Sequence, residues 1–153
     1  MMTIENFKKK SSLNARLIGL DIGSKRIGVS ICDENRSIAT PLVTIEKTTL
    51  DNFINEIKKI ISEYNIKGII IGNPINMDGS EGASSQSVKD YANALLEKID
   101  VPGCLWDERL STVGAFNISS QLDINVSKRT KNIDQNAAAF ILQGAIDLSL
   151  IHI

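Results

Sequence analysis

The stretch Arg16-Leu17-Ile18-Gly19-Leu20-Asp21-Ile22-Gly23 decides the fold. It is an apolar run with one acid in it, and both of its faces read as buried once it is extended as a strand. Arg26–Asp33 (RIGVSICD) is a second strand, reached through Gly23-Ser24-Lys25. Ser37–Ile45 (SIATPLVTI) is a third, with Pro41 suited to an edge or a bend. The short connections make these three runs antiparallel neighbours.

Downstream the period changes. Leu50, Phe53, Ile54, Ile57, Ile60, Ile61 and Tyr64 follow the i, i+3, i+4, i+7 spacing of an amphipathic helix over 48–64. Thr48 with Asp51 three residues on resembles a capping box. Gly68–Gly72 (GIIIG) predicts a short strand, and Asn73–Gly82 (NPINMDGSEG) is dense enough in turn formers to be a loop. Val88, Tyr91, Ala92, Leu95 and Ile99 line a second helix. Val101–Trp106 is a further strand, after which Asp107-Glu108-Arg109 leaves the sheet. Ser111 caps a short helix, and residues 121–132 form a polar, basic loop. The last helix runs from about Ile133 to Leu148, with Ala137, Phe140, Ile141, Gly144, Ala145 and Leu148 on one face. The order β-β-β-α-β-α-β-α-α predicts an α/β protein with a mixed five-stranded sheet and helices on both faces. The expected organisation is one domain over 16–153, preceded by a flexible extension at 1–15 that carries Lys8-Lys9-Lys10.

Composition narrows the chemistry. The 153 residues are 42% hydrophobic and 23% charged, ordinary for a globular domain with a real core. Lys plus Arg number 17 and Asp plus Glu 18, a net charge of -1, which excludes a uniformly basic nucleic-acid coat but not a local basic patch. The single histidine, His152, lies near the end of the chain. That removes Ser-His-Asp triads, Cys-His dyads and His-rich zinc sites. Cys32 and Cys104 sit in apolar runs with no metal spacing and read as buried free thiols. No stretch approaches the roughly 20 apolar residues of a membrane span. The N-terminus has no apolar core of a secretory signal, so the expected location is the cytoplasm.

Catalysis must then rest on carboxylates, lysines, hydroxyls or thiols. Asp21 is costly to bury alone in its strand and needs a partner or a cation. Asp107 and Glu108 end a strand. Asp134 opens the last helix, where an acid favours the helix dipole, yet it shares a face with Ala138 and Ile141. Three carboxylates without histidine suit a hard divalent cation, Mg²⁺ or Mn²⁺. A pair of such ions about 4 Å apart can activate water for phosphodiester cleavage.

Four ordered segments carry a family resemblance. Asp21-Ile22-Gly23-Ser24-Lys25-Arg26-Ile27-Gly28-Val29-Ser30 resembles the opening motif of the YqgF/RuvX family, nucleases of precursor 16S rRNA related to Holliday-junction resolvases. Gly72-Asn73-Pro74-Ile75-Asn76-Met77-Asp78-Gly79-Ser80-Glu81 is similar to its G-L-P-x-N-M-D-G loop. Asp107-Glu108-Arg109-Leu110-Ser111-Thr112 resembles its D-E-R-L-[ST]-T segment. Ile133-Asp134-Gln135-Asn136-Ala137-Ala138-Ala139 resembles the opening of its final helix. Order and spacing agree over about residues 16–149. The resemblance implies a ribonuclease H-like fold, with catalytic and metal-holding roles on Asp21, Glu108 and Asp134. Between Asp107 and Glu108, the longer reach favours Glu108. The chain departs from the pattern at Asn73, where the family usually has Leu, and in the extension before Arg16.

Lys25 and Arg26, Arg109, and Lys128, Arg129 and Lys131 flank these acids and make candidate phosphate contacts. Gly79 and Gly82 could add backbone amides. Aromatic residues are only 5% of the chain and absent from these loops, so base stacking is not the expected mode of binding. The resemblance implies a metal-dependent endonuclease acting on structured RNA, the 5′ end of precursor 16S rRNA within the pre-ribosome, as a monomer or weak homodimer. Two alternatives stay open: a nuclease of branched DNA, and a non-enzymatic module bound to the ribosome or the transcription complex.

Overall fold

The computed structural model describes residues 3, 6, 7, 15–76, 78–108 and 133–150. Its elements are β1 (Arg16–Ile22), β2 (Arg26–Cys32), β3 (Ala39–Glu46), α1 (Leu50–Tyr64), β4 (Ile66–Asn73), α2 (Ala83–Glu97), β5 (Gly103–Asp107) and α3 (Ile133–Ala145), followed by a π-helical turn at Ile146–Leu150. The helix expected after Ser111 and the loop at 121–132 fall outside the described residues.

The five strands form one sheet in the order β3-β2-β1-β4-β5. β1 pairs antiparallel with β2, and β2 with β3. β4 runs parallel to β1, and β5 parallel to β4. β1 is therefore the central strand, as its apolar faces required. The ladder between β2 and β3 shifts register at the step to the Ser30–Pro41 pair. Proline has no N–H to give, and it is tolerated there because β3 is the edge.

Strand alternation divides the core in two. Ile18, Leu20 and Ile22 of β1 join Ile69 and Ile71 of β4 against α1 (Phe53, Ile54, Ile57, Ile60) and α2 (Val88, Ala92, Leu95). Leu17, Ile70, Cys104 and Trp106 face the other way, against Ile141, Leu142 and Ala145 of α3. Both cysteines are free and buried. Burial pushes the Cys104 thiol up to about 12, which keeps it inert. Within the stretch read as an extension, the ring of Phe7 is fully buried on the α3 side. A Cβ on Gly68 would come within 2.6 Å of Phe7 Cζ, so the ring fills the space that glycine leaves.

Local details differ from the sequence reading. Thr49, not Thr48, caps α1: its hydroxyl accepts from the Asn52 amide at 3.1 Å, while Thr48 Oγ1 accepts from Asn52 Nδ2. The buried face of α3 is rotated from the expected one. It consists of Ala138, Ala139, Ile141, Leu142 and Ala145, and Leu148 is 64% exposed. The reason is a close approach to β1 and β2. Ser30 Oγ donates to the Ala138 carbonyl at 2.7 Å, and a Cβ on Gly19 would lie 2.8 Å from Leu142 Cβ and 2.9 Å from Ala138 O. Ala138 and Leu142 therefore meet the sheet closely, and the wider π turn carries Leu148 off that face.

Candidate active site

The site is built where β1, β4 and β5 end on the α3 side of the sheet. Leu20 pairs with Ile71 in the parallel ladder, so Asp21 and Gly72 follow side by side. Gly72 in turn pairs with Trp106, and Asn73 with Asp107. Strand alternation sets Asp107 with Leu105, toward α1 and α2. Glu108, the next residue, returns to the side of Trp106. Its backbone N–H donates to the Asn73 carbonyl at 3.1 Å, extending the strand by one bond.

The Glu108 carboxyl lies over Gly72 and meets Asp21. A Cβ on Gly72 would stand 2.9 Å from Glu108 Oε1, 3.0 Å from its Cγ and 2.5 Å from Ile141 Cδ1. Only glycine leaves that room. The Glu108 carboxyl is hydrogen-bonded to the Asp21 side chain. Burial, then the neighbouring Asp21 charge and that hydrogen bond, and last the Asp107 charge push it up to about 8. Protonated, Glu108 donates to the Asp21 carboxylate. Ionised, the two repel and call for a cation between them. Two half-buried carboxylates of this kind are the hard oxygen donors that Mg²⁺ or Mn²⁺ prefers, so the residues fit such an ion. Among the described residues no group of three or more His, Cys, Asp or Glu is gathered for a metal.

The other expected site residues fall as follows. Asp134 belongs to α3, four residues before Ala138, and its side chain is outside the described set. Lys25 and Arg26 are exposed on the turn that follows Asp21. That turn is closed by Gly23 N–H to the Arg26 carbonyl, and Lys47 Nζ reaches the Gly23 carbonyl at 3.0 Å. Arg109, Lys128, Arg129 and Lys131 lie outside the described residues. The idea that Gly79 offers its amide to a phosphate is corrected: the Gly79 N–H is bonded to the Asn76 carbonyl at 2.8 Å. Gly72 is the site residue that reading by motif missed. Its signal was a glycine closing an isoleucine run, but what it faces depends on the register between β4 and β5.

A mixed five-stranded sheet in the order β3-β2-β1-β4-β5, with helices on both faces, defines an α/β protein of the ribonuclease H-like fold. The comparisons agree on that fold. Thermus thermophilus RuvC superposes with a TM-score of 0.56 at 12% identity, covering 88% of this chain and 97% of that one. A yeast mitochondrial Holliday junction resolvase gives 0.52 at 13% identity, covering 94% and 82%. The family model described as "RuvX: Holliday junction resolvase" matches residues 15–148. The chain belongs to the RuvX family, and so to a nuclease family. A relative from Pelagibacter ubique (strain HTCC1062), named "Putative pre-16S rRNA nuclease", is 67% identical over 147 residues, 96% of this chain and 97% of its own. A relative of the same name from Rhizobium meliloti (strain 1021) is 39% identical over 147 residues, covering 96% and 89%.

Proposed function

We propose that this protein is a divalent-metal-dependent endonuclease that trims precursor 16S rRNA at its 5′ end. The observation that carries the chemistry is the hydrogen-bonded pair of Asp21 and Glu108 at the ends of β1 and β5. The RNA substrate rests on the names of the full-length relatives.

In this reading Asp21 and Glu108 hold Mg²⁺ or Mn²⁺, and Asp134 joins them from the first turn of α3. A cation held by these residues would supply charge stabilisation at the scissile phosphate and would acidify a water. The carboxylates fix its position, with the Glu108 amide held by the Asn73 carbonyl and its carboxyl lying over Gly72. Lys25, Arg26, Arg109, Lys128, Arg129 and Lys131 grip the phosphates on either side of the cut. They align the chain without reading its bases. Such a protein works in the cytoplasm, and no helix among the described residues is long and apolar enough to cross a membrane.

The family model's description favours a second reading, cleavage of branched DNA. One assay separates the two. Matched precursor rRNA and four-way DNA junctions are incubated with Mg²⁺, with Mn²⁺ or with EDTA, beside Asp21→Asn. Metal-dependent cleavage of the RNA that disappears in the variant is the expected result. Cleavage of the junction alone assigns the DNA reading. Binding without cleavage of either substrate leaves a non-enzymatic module.

A further inference from the structure

Asn73 ends β4 with its main chain turned to the site and its side chain turned away from it. Its carbonyl accepts the Glu108 N–H at 3.1 Å, while its side chain follows Ile69 and Ile71 onto the α2 side of the sheet. There it is buried, and its Oδ1 accepts the hydroxyl of Ser85, itself fully buried, at 2.6 Å. Its amide lies beside the Glu81 carboxylate, which is ion-paired with Lys89 of α2. Ser85 lies in the first turn of α2, and Glu81 bridges to Ile75 across the mouth of the loop. The Asn73 side chain therefore ties the start of α2 to the strand that seats Glu108 and stands against the far end of the loop at Glu81. A Leu at this position could not make the bond to Ser85.

We propose that Asn73 is a positioning residue that couples the loop at 74–82 and the start of α2 to Glu108. The proposal rests on Glu108 being a site carboxylate. A buried amide whose oxygen is bonded to a buried hydroxyl holds its geometry, since movement would leave both polar groups unpaired. Movement of the loop against the sheet must then move Asn73, and with it the carbonyl that fixes Glu108.

Hydrogen exchange and cleavage kinetics on the full chain test this. Asn73→Leu should speed exchange of the Glu108 amide and of the loop amides of Asn76 and Gly79 together, by about 10-fold or more. It should lower kcat by about 10-fold with KM changed less than about 3-fold, because the group that moves serves the chemical step. Asn73→Asp sets a second carboxylate against Glu81 and should loosen the same amides. Adding Glu81→Gln restores a donor and should return both exchange and kcat toward the parent. Should Asn73→Leu fail to fold, Ser85→Ala removes one bond without entering the sheet and should give the same pattern at smaller size. Loop amides that loosen while the Glu108 amide stays protected would overturn the coupling, as would no rescue by Glu81→Gln. Exchange is read without substrate or metal, so failure of the nuclease reading and failure of the coupling are distinguishable.

Discussion

Asp21 and Glu108, 87 residues apart in the chain, meet through a hydrogen bond between their carboxyl groups. Two acids that close are held there by the sheet and not by each other. β1 delivers one and the step beyond β5 the other, across β4, whose Gly72 has no side chain to keep them apart. The pair is strained when both members are ionised, and this gives it measurable properties before any substrate is added.

Replacing one member removes the repulsion. Asp21→Asn keeps a hydrogen-bonding side chain in the same space and deletes one charge. Cleavage should fall by about 10³-fold or more, since a neutral amide is a poor ligand for a hard cation. The thermal midpoint should stay level or rise, the usual result when a functional site is relieved of like charges. A variant that instead fails to fold would make Asp21 a structural acid.

Stability should depend on pH through the same pair. The Glu108 carboxyl moves from 4.5 up to about 8 in the folded protein. Between those values the native state keeps a proton that the unfolded chain has released, so this contribution is full below 4.5 and is lost as the pH rises through about 8. Without divalent cations, the parent should therefore lose stability from about pH 5 to about pH 9 relative to Glu108→Gln, which has no proton to release. Thermal melts of both proteins across that range give the difference directly. Mn²⁺ titrations should show affinity rising over the same interval, because the cation must displace the proton.

Gly72 can be separated from its neighbours by pairing substitutions. A Cβ at this position meets both Glu108 and Ile141 Cδ1. Gly72→Ala should lower kcat by about 10²-fold through a misplaced carboxylate, and destabilise by about 1–3 kcal/mol through crowding. Ile141→Val removes the methyl group at 2.5 Å and should restore much of the stability but not the rate. Recovery of both together would show that the alanine acts through α3 alone.

Much of this was legible in the sequence, for reasons that can be named. Asp21 stood out because nothing apolar explains an acid inside the central strand. The three antiparallel strands followed from connections too short for a crossover. What sequence could not supply was the third dimension of register. That Glu108 and not Asp107 meets Asp21 follows from alternation on β5 (Cys104, Trp106, Glu108 on one side), whereas side-chain length alone was a weak guide. Gly72, Gly19 and Ser30 matter through what lies opposite them, which no local pattern encodes. The misread face of α3 has the same origin. Helical spacing puts Phe140 and Leu148 on one face with Ile141 and Ala145, but the close approach of α3 to Gly19 and Ser30 turns Ala138 and Leu142 to the sheet instead.

That packing is itself testable. A Cβ on Gly19 would strike the Ala138 backbone oxygen at 2.9 Å, which no side-chain rotation relieves. Gly19→Ala should cost about 2–3 kcal/mol in urea unfolding. Ser30→Ala, which removes the 2.7 Å bond to the Ala138 carbonyl, should cost about 1 kcal/mol. Gly19→Ala should also slow cleavage, because α3 carries Asp134 one turn before Ala138.

Five of the six candidate cations, all but Arg109, fall into two groups with one expected behaviour. Lys25 and Arg26 are exposed on the turn after Asp21, and Lys128, Arg129 and Lys131 precede Asp134 in the chain. Phosphates held by either group would lie within a few residues of a site acid. Bonds to the phosphate backbone carry no sequence information, so neutralising a group should weaken different RNAs by similar factors. The slope of log K against log[salt] should flatten by up to about 0.7 for each phosphate of a single strand that is no longer neutralised. Cleavage at saturating substrate should survive better than affinity, because the cations position the chain and the acids act on it. The Lys25→Ala/Arg26→Ala and Lys128→Ala/Arg129→Ala/Lys131→Ala variants, measured side by side, give the share of each. Unchanged affinity and slope in the triple variant would remove that loop from the interface and leave Lys25, Arg26 and Arg109 to hold the phosphates. If instead a few RNAs weaken far more than the rest, these side chains read bases, and backbone gripping is the wrong account of them.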